Sequence, residues 1–231
     1  MIEINCISGY GDLMFCEPIF RHFYEQKGEK PIVYIHQHQM WIQQHIESAF
    51  FRPAYECDFN GEDMPHSENK INLRYANQIF RGYGSHDHHD LENMMLDKYR
   101  LLGLPDDLWK TMQLTFNPQR AVELTIEAFN GNALIEPYIV VNNNCQIGTI
   151  DIKPVTDHKI VYMNEIAGFS LIDWYFVLKF AKEIHTVSTS VFYLLQDMQV
   201  ECPVYIYPRP NEDGLRGISQ LKPTYNYTLC Q

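Results

Sequence analysis

The sequence predicts an α/β protein of two small halves, each wound on a parallel sheet and facing the other over a cleft. Three observations lead there. Residues 183–198 read as a short buried strand that passes through a hydroxyl-rich turn, Ser188-Thr-Ser190, into an amphipathic helix. Near the start, an apolar strand over residues 1–7 runs into a glycine turn, Ser8-Gly-Tyr-Gly-Asp12, ahead of a second helical pattern. Strand and helix patterns then alternate through both halves, the β-α-β signature of a parallel sheet. In outline each half is Rossmann-like.

After the first strand, residues 13–24 carry apolar side chains at helical spacing. Pro18 lies slightly too deep for a first turn, so a late start or a kink is expected, and Gly28 is the stop. Residues 31–36 form the next strand, 41–51 a helix and 70–73 a short strand. Residues 58–69 and 82–90 are polar and Gly/His/Asp-rich, hence loops. An amphipathic helix over 91–102 closes at Gly103 and Pro105. Another over 118–129 has Pro118 in its first turn and Gly131 after its end. The domains expected are 1–116 and 137–231, with a hinge and linking helix over 117–136. The second half repeats the alternation. Residues 138–142 form a strand opening into an Asn-rich turn, and 158–162 form a strand. Residues 171–181 form an aromatic-rich helix with Ser170 as its cap. A strand over 183–186, the helix of the 190s and a strand over 203–207 follow. Beyond Pro208 the polar chain is expected to wrap the surface.

The 231 residues are 45% hydrophobic, enough for a normal core. No apolar run approaches the ~20 residues of a membrane span. The N-terminal residues lack a basic region and a cleavage motif, so no signal peptide and a cytoplasmic setting are expected. The six cysteines include no Cys-x-x-Cys pair and read as reduced thiols. The net charge of −11 is shared by both halves without a basic run, which disfavours a large nucleic-acid footprint.

Several residues could carry chemistry. Asp12 follows a glycine turn at a strand's mouth, where it is either a base for a hydroxyl or a helix cap. Ser8, Gly9, Tyr10 and Gly11 would line the same place. Thr186, Ser188, Thr189 and Ser190 crowd a helix start, where free amides and the helix dipole favour an anion. Phosphate binding and simple capping are the two readings. His185 and Thr186 are expected to end their strand on one side. Arg209 follows the last strand, as a diphosphate partner or a solvated side chain. Asn142 and Asn144 could bond a nucleotide or sugar, or only form a turn. His86, Asp87, His88, His89 and Asp90 are too closely spaced to fold onto one ion and read as a solvated loop, so no metal site is expected. His36 and His38 read as packed or solvated, and Trp174, Tyr175 and Phe176 as core.

Ser8-Gly-Tyr-Gly-Asp12 followed by a Pro-containing helix resembles the N-terminal Gly-x-Gly-Asp segment of heptosyltransferase-like glycosyltransferases of the GT-B fold. His185-Thr-Val-Ser-Thr-Ser-Val-Phe-Tyr-Leu-Leu195 resembles the segment of their second domain that opens a helix under the donor pyrophosphate. The order of Gly168-Phe-Ser-Leu-Ile-Asp-Trp174 and Glu183-Ile-His-Thr-Val-Ser-Thr-Ser190 is similar to small glycosyltransferase-like proteins of bacteriophages. The resemblance implies a reduced GT-B architecture and sugar transfer from a nucleotide-sugar to an acceptor hydroxyl. It implies Asp12 as base, no metal, and no cofactor beyond the nucleotide-sugar co-substrate. The acceptor would be a saccharide, a small metabolite or, in a phage and hence in the host cytoplasm, a hydroxymethylated DNA base. The family's lysine after the first strand of the second domain has no clear match, and Lys153 is the nearest. That departure motivates a rival: a catalytically degenerate module that binds a nucleotide or a partner protein.

Overall fold

The structure, a computed structural model, describes residues 1–60, 67–81, 94–131, 136–145, 148–210, 218 and 220–230. The chain forms two compact units, Met1–Thr115 and Phe116–Gln231. No helix of the described residues is long and apolar enough to cross a membrane.

In the first unit, β1 (Glu3–Asn5), β2 (Ile32–Ile35), β3 (Phe50–Pro53) and β4 (Lys70–Asn72) form one sheet. Its order is β3-β2-β1-β4 and every pair is parallel. Ile4, Val33 and Ile35 are fully buried, as the apolar runs of a doubly covered parallel sheet require. The helix expected over 13–24 is two helices, α1 (Tyr10–Phe15) and α2 (Glu17–Lys27), broken at Cys16. The break places Pro18 in the first turn of α2, where its missing N–H costs nothing. Gly28 ends α2 in the left-handed region at φ 71°, and its amide donates to the Tyr24 carbonyl.

The helix expected over 41–51 is absent. Gln37–Gln44 instead winds into 3-10 turns, and the chain then extends into β3. There Phe50 N–H donates to the Pro31 carbonyl, and Pro53 is tolerated because β3 is an edge strand. Farther on lie α3 (Ala76–Arg81) and α4 (Asp97–Arg100). Of the helix expected over 91–102, α4 is the α-helical part among the described residues. The loop over 82–90, with His86, Asp87, His88, His89 and Asp90, lies outside the described residues.

The second unit begins with α5 (Pro118–Ala128), so this helix of the expected linking segment packs in the second unit. Asn117 caps it, its side-chain oxygen accepting from the amides of Gln119 and Arg120 at 3.0 and 3.3 Å. Then come β5 (Tyr138–Asn142), a small antiparallel pair β6 (Asn144–Cys145) and β7 (Gly148–Thr149), β8 (Lys159–Tyr162) and α6 (Tyr175–Lys179). β9 (Ile184–Val187), α7 (Val191–Met198), β10 (Val204–Tyr207) and β11 (Tyr227–Leu229) complete it. The main sheet runs β11-β10-β9-β5-β8, all parallel.

Two expectations change here. The tail after Pro208 does more than wrap the surface, because β11 adds a parallel edge strand beside β10. Ser170 does not cap a helix by accepting. Its amide and hydroxyl both donate to Asp173 Oδ2, at 2.7 and 2.9 Å. Arg120 grips the same carboxylate through Nη2 at 3.0 Å and Nε at 3.3 Å. Burial pushes the Asp173 carboxyl up, but the Arg120 and Ser170 hydrogen bonds outweigh it and hold it below the usual range. The segment 168–174 is thus a knot that fastens α5 to the approach of α6. Trp174 is buried, as expected of core, whereas Tyr175 and Phe176 are half-buried and pack against Phe116, Tyr175 stacking at 3.9 Å between centroids.

Candidate functional site

Parallel open sheets bind ligands at the carboxyl ends of their strands, where the strand order reverses direction. In the first unit the chain lays down β1, β2 and β3 outward, then returns to place β4 on the other side of β1. The reversal falls between β1 and β4. In the second unit β8 lies on one side of β5 and β9 on the other, so the reversal falls between β5 and β9.

Each reversal is spanned by an asparagine. Asn5 ends β1, and its Nδ2 donates to Asn72 Oδ1 at the end of β4, at 3.1 Å. Asn142 ends β5, and its Nδ2 donates to Thr186 Oγ1 in β9 at 2.9 Å and to Thr189 Oγ1 at 3.1 Å. All but Thr189 of these residues are buried. The amides therefore stitch the carboxyl edges together where pairing alone would leave polar groups unsatisfied.

Above the first reversal is a cavity of about 140 Å³ lined by Ser8, Asp12, Leu73, Arg74, Asn77 and Lys98, among others. Gly9, not Asp12, is the N-cap of α1, and it makes no side-chain cap bond. Asp12 sits in the first turn of α1, and its Oδ1 forms an ion pair with Lys98 Nζ. Lys98 belongs to α4 and its side chain is 5% exposed, against 24% for Asp12. Burial by itself would push the ammonium down, but the Asp12 carboxylate against it outweighs that, so Lys98 stays charged. Gly9 brings the backbone close to the carboxylate: a Cβ there would stand 3.3 Å from Asp12 Oδ2. Ser8 lines the cavity and holds Gln39 Nε2 on its carbonyl at 2.7 Å. Tyr10 turns away, packing on Trp41 at 5.1 Å and donating to the His38 carbonyl at 3.3 Å. His36 and His38 stack at 5.4 Å.

The second reversal is lined by hydroxyls and amides among the described residues. Thr186 is fully buried, and Ser188 is 5% exposed. Ser190 is the N-cap of α7 and makes no side-chain cap bond, so the simple capping reading does not hold there. The amides of Thr189, Ser190 and Val191 donate to no protein acceptor among the described residues. Arg209 reaches back from beyond β10, and its Nε donates to the Ser188 carbonyl, which brings a guanidinium to the turn. Amides without a protein acceptor among the described residues and a guanidinium thus come together at one helix start.

His185 does not join them. Neighbouring strand residues point to opposite faces, so His185 and Thr186 are separated by the sheet. The imidazole of His185 stacks on Tyr205 at 4.6 Å. Its Nδ1 meets the Tyr207 hydroxyl at 3.0 Å, and Nε2 meets Glu183 at 3.4 Å. Burial lowers its pKa despite Glu183. Asn144 is exposed in β6 and accepts from the Thr149 hydroxyl at 2.8 Å, apart from the Asn142 bridge. Lys153 is exposed and paired with Asp151. Among the described residues no three or more His, Cys, Asp or Glu side chains cluster as metal ligands would.

Sequence reasoning missed Asn5, Asn72, Arg74 and Lys98. The last is 86 positions from its partner, and a lone Lys in an amphipathic pattern carries no signal of burial. Asn5 had a signal, since it ends its strand ahead of a glycine turn as Asn142 ends its own ahead of an Asn-rich one.

The fold and the two switch points define a class: paired parallel α/β units of the GT-B type. Solved structures agree. The glycosyl transferase family 9 protein from Veillonella parvula matches with a TM-score of 0.57 at 11% identity, over 99% of this chain and 85% of its own. The ADP-heptose LPS heptosyltransferase II of E. coli also scores 0.57 at 11% identity, over 100% and 90%. TibC, an iron-containing dodecameric glycosyltransferase of enterotoxigenic E. coli, scores 0.52 at 10% identity, over 94% of this chain and 64% of that one. No protein-family model matches the chain, and no curated protein matches it in sequence. At such identities the likeness establishes the fold.

Proposed function

We propose that this chain is a glycosyltransferase that moves a sugar from a nucleotide-sugar to an acceptor hydroxyl. The observation that carries the reading is the start of α7, where the amides of Thr189, Ser190 and Val191 meet no protein acceptor among the described residues and Arg209 is held at the Ser188 carbonyl, at a sheet's switch point. That array suits a diphosphate. In the first unit, Asp12 supports the other half of the chemistry, a carboxylate on a cavity wall beside a glycine turn. Its free oxygen takes the proton of the acceptor hydroxyl. The acceptor oxygen bonds to the anomeric carbon as the bond from that carbon to phosphate breaks. The nucleoside diphosphate leaves, its charge met by amides and guanidinium without a metal. The fold likeness to glycosyltransferases supports the reaction class, and TibC has been solved in complex with ADP-D-β-D-heptose. The charge of −11 argues for a saccharide or small metabolite acceptor over a modified base in duplex DNA.

A second reading, a module that binds a nucleotide without turnover, is favoured by Lys153, the nearest match to the family lysine, being exposed and paired with Asp151. A thermal-shift panel of nucleotide-sugars and nucleoside diphosphates comes first. Occupancy at 100 times Kd adds about 2.7 kcal/mol of stability. Transfer to hydroxyl acceptors is then measured for the wild type and Asp12→Asn, where turnover should fall by about 10²–10⁴-fold. Binding without transfer selects the second reading, and no binding by any nucleotide rejects both.

A further inference from the structure

Lys98 is a costly residue to place where it is. Its side chain is almost wholly removed from water, in a four-residue helix with Asp97 fully buried beside it. Tyr99, the next residue, fixes the register of α4 on α1. Its hydroxyl donates to the Phe15 carbonyl and its ring meets Phe15 edge-on at 5.0 Å. That contact delivers Lys98 to Asp12, three residues before Phe15. Asp97 is engaged by Arg100 at 3.3 Å and is not the partner of Lys98.

Buried ion pairs of this sort add little net stability, because desolvating both charges offsets their attraction. An apolar pair of similar volume would hold α4 on α1 as well. This pair also stands in an informative place. Both residues line the cavity at the β1/β4 switch point. Lys98 engages Oδ1 of Asp12, while Oδ2, over Gly9, has no hydrogen-bond partner among the described residues. One oxygen is fixed and the other is left for a ligand.

We infer that Lys98 is the positioning residue of Asp12: it locks the carboxylate's rotamer by holding Oδ1, so that Oδ2 is presented to the acceptor hydroxyl. The catalytic part of this inference rests on the transfer reaction proposed above, and the positioning part does not. Lys98 does not touch the substrate's reacting atoms and exchanges no proton in the step. Its ammonium also offsets the carboxylate's charge within the wall, beside the thiols of Cys6 and Cys16.

The test uses the full chain with Lys98→Met, Lys98→Arg, Asp12→Asn and the double variant Asp12→Asn/Lys98→Met. Each single neutralisation should lower the melting temperature, because it strands a charge, and the double variant should recover most of the loss. Crystal structures of the wild type and Lys98→Met give a readout free of activity. The Asp12 carboxylate should leave its present orientation in Lys98→Met, and stay in place in Lys98→Arg. In transfer assays Lys98→Met should lose about 10–100-fold in kcat, by analogy with the loss when an outer-shell partner of a metal ligand is removed. KM for the nucleotide-sugar should stay near the wild-type value, and Lys98→Arg should restore most of kcat. An Asp12 carboxylate that keeps its orientation in folded Lys98→Met overturns the inference. So does wild-type kcat in that variant when Asp12→Asn is inactive. If Asp12→Asn transfers sugar normally while Lys98→Met still releases the carboxylate, the positioning stands and Asp12 loses its role as base.

Discussion

Replacing Asn142 with alanine separates a structural turn from a phosphate seat. The Asn142 amide makes two buried or half-buried bonds, 2.9 Å to Thr186 Oγ1 and 3.1 Å to Thr189 Oγ1. Each is a neutral hydrogen bond with a net contribution of roughly 0.5–1.5 kcal/mol. Thr186, fully buried, keeps a second bond, from its hydroxyl to the Val187 carbonyl at 2.9 Å, so it is not left wholly unsatisfied. Thr189 is half-buried and can turn to water. The loss should therefore fall in the lower part of the range, about 1–2 kcal/mol, read as a lower urea midpoint at unchanged slope. The same bridge ties the turn that opens α7 to β5. If that turn holds a diphosphate, its ordering must be regained on binding, and calorimetry with a nucleoside diphosphate should show about 5–30-fold weaker affinity. Asn144→Ala is the control, since Asn144 is exposed and bonds only Thr149 among the described residues, and should change neither quantity. Unchanged affinity in a destabilised Asn142→Ala protein would refute the assignment of the phosphate seat to this turn.

Ser188→Ala with Ser190→Ala should weaken nucleoside diphosphate binding by roughly 1–3 kcal/mol, the scale of hydrogen bonds to charged groups; calorimetry decides, and equal affinity at intact fold counts against the site. Gly9→Ala is permitted by the backbone, since φ is −71°, but sets a Cβ 3.3 Å from Asp12 Oδ2. Its melting temperature should hold while turnover drops a few-fold; equal turnover would show that the carboxylate can shift at no loss. Asp173 has its folded pKa below the usual 3.8, so its contribution is present above that value and is lost as pH falls through the lower, folded one. Unfolding followed between pH 5 and pH 2 should therefore show a steeper acid loss in the wild type than in Asp173→Asn, and parallel curves would contradict the Arg120–Ser170 knot.

What could be seen in the sequence was whatever chemistry is local. Met1 to Asp12 and Glu183 to Met198 each contain strand, turn and helix start within one short window, so period and turn residues agree. Gly28 and Pro18 marked a stop and a start for the same reason. Misses came where a long-range partner decides. Phe50-Phe-Arg-Pro53 has no strand-length apolar run, and its extension depends on β2 lying alongside. Tyr227-Thr-Leu229 becomes a strand only because β10 offers an edge. Ser170 looked like a cap, yet its hydroxyl donates to a carboxylate that Arg120, 50 positions earlier, holds in place. His185 and Thr186 looked like one site because they adjoin in sequence, and the period of a strand divides them.

The candidate site follows the same division. Two turns were legible, but what each can do is set by the partner that the fold supplies. Asn5 and Asn142 do the same work in the two sheets, closing a switch point from the end of an interior strand. The residues gathered beyond them differ in kind. The first turn receives Lys98 from a distant helix and becomes a charge pair with one carboxylate oxygen left over. The second receives Arg209 at the Ser188 carbonyl, and the amides of Thr189, Ser190 and Val191 meet no protein acceptor among the described residues. A proton acceptor and an anion seat are the two parts that transfer of a group from a diphosphate needs. In the proposed function they are divided between the two turns, because a carboxylate beside the amides of α7 would compete with an anion bound there.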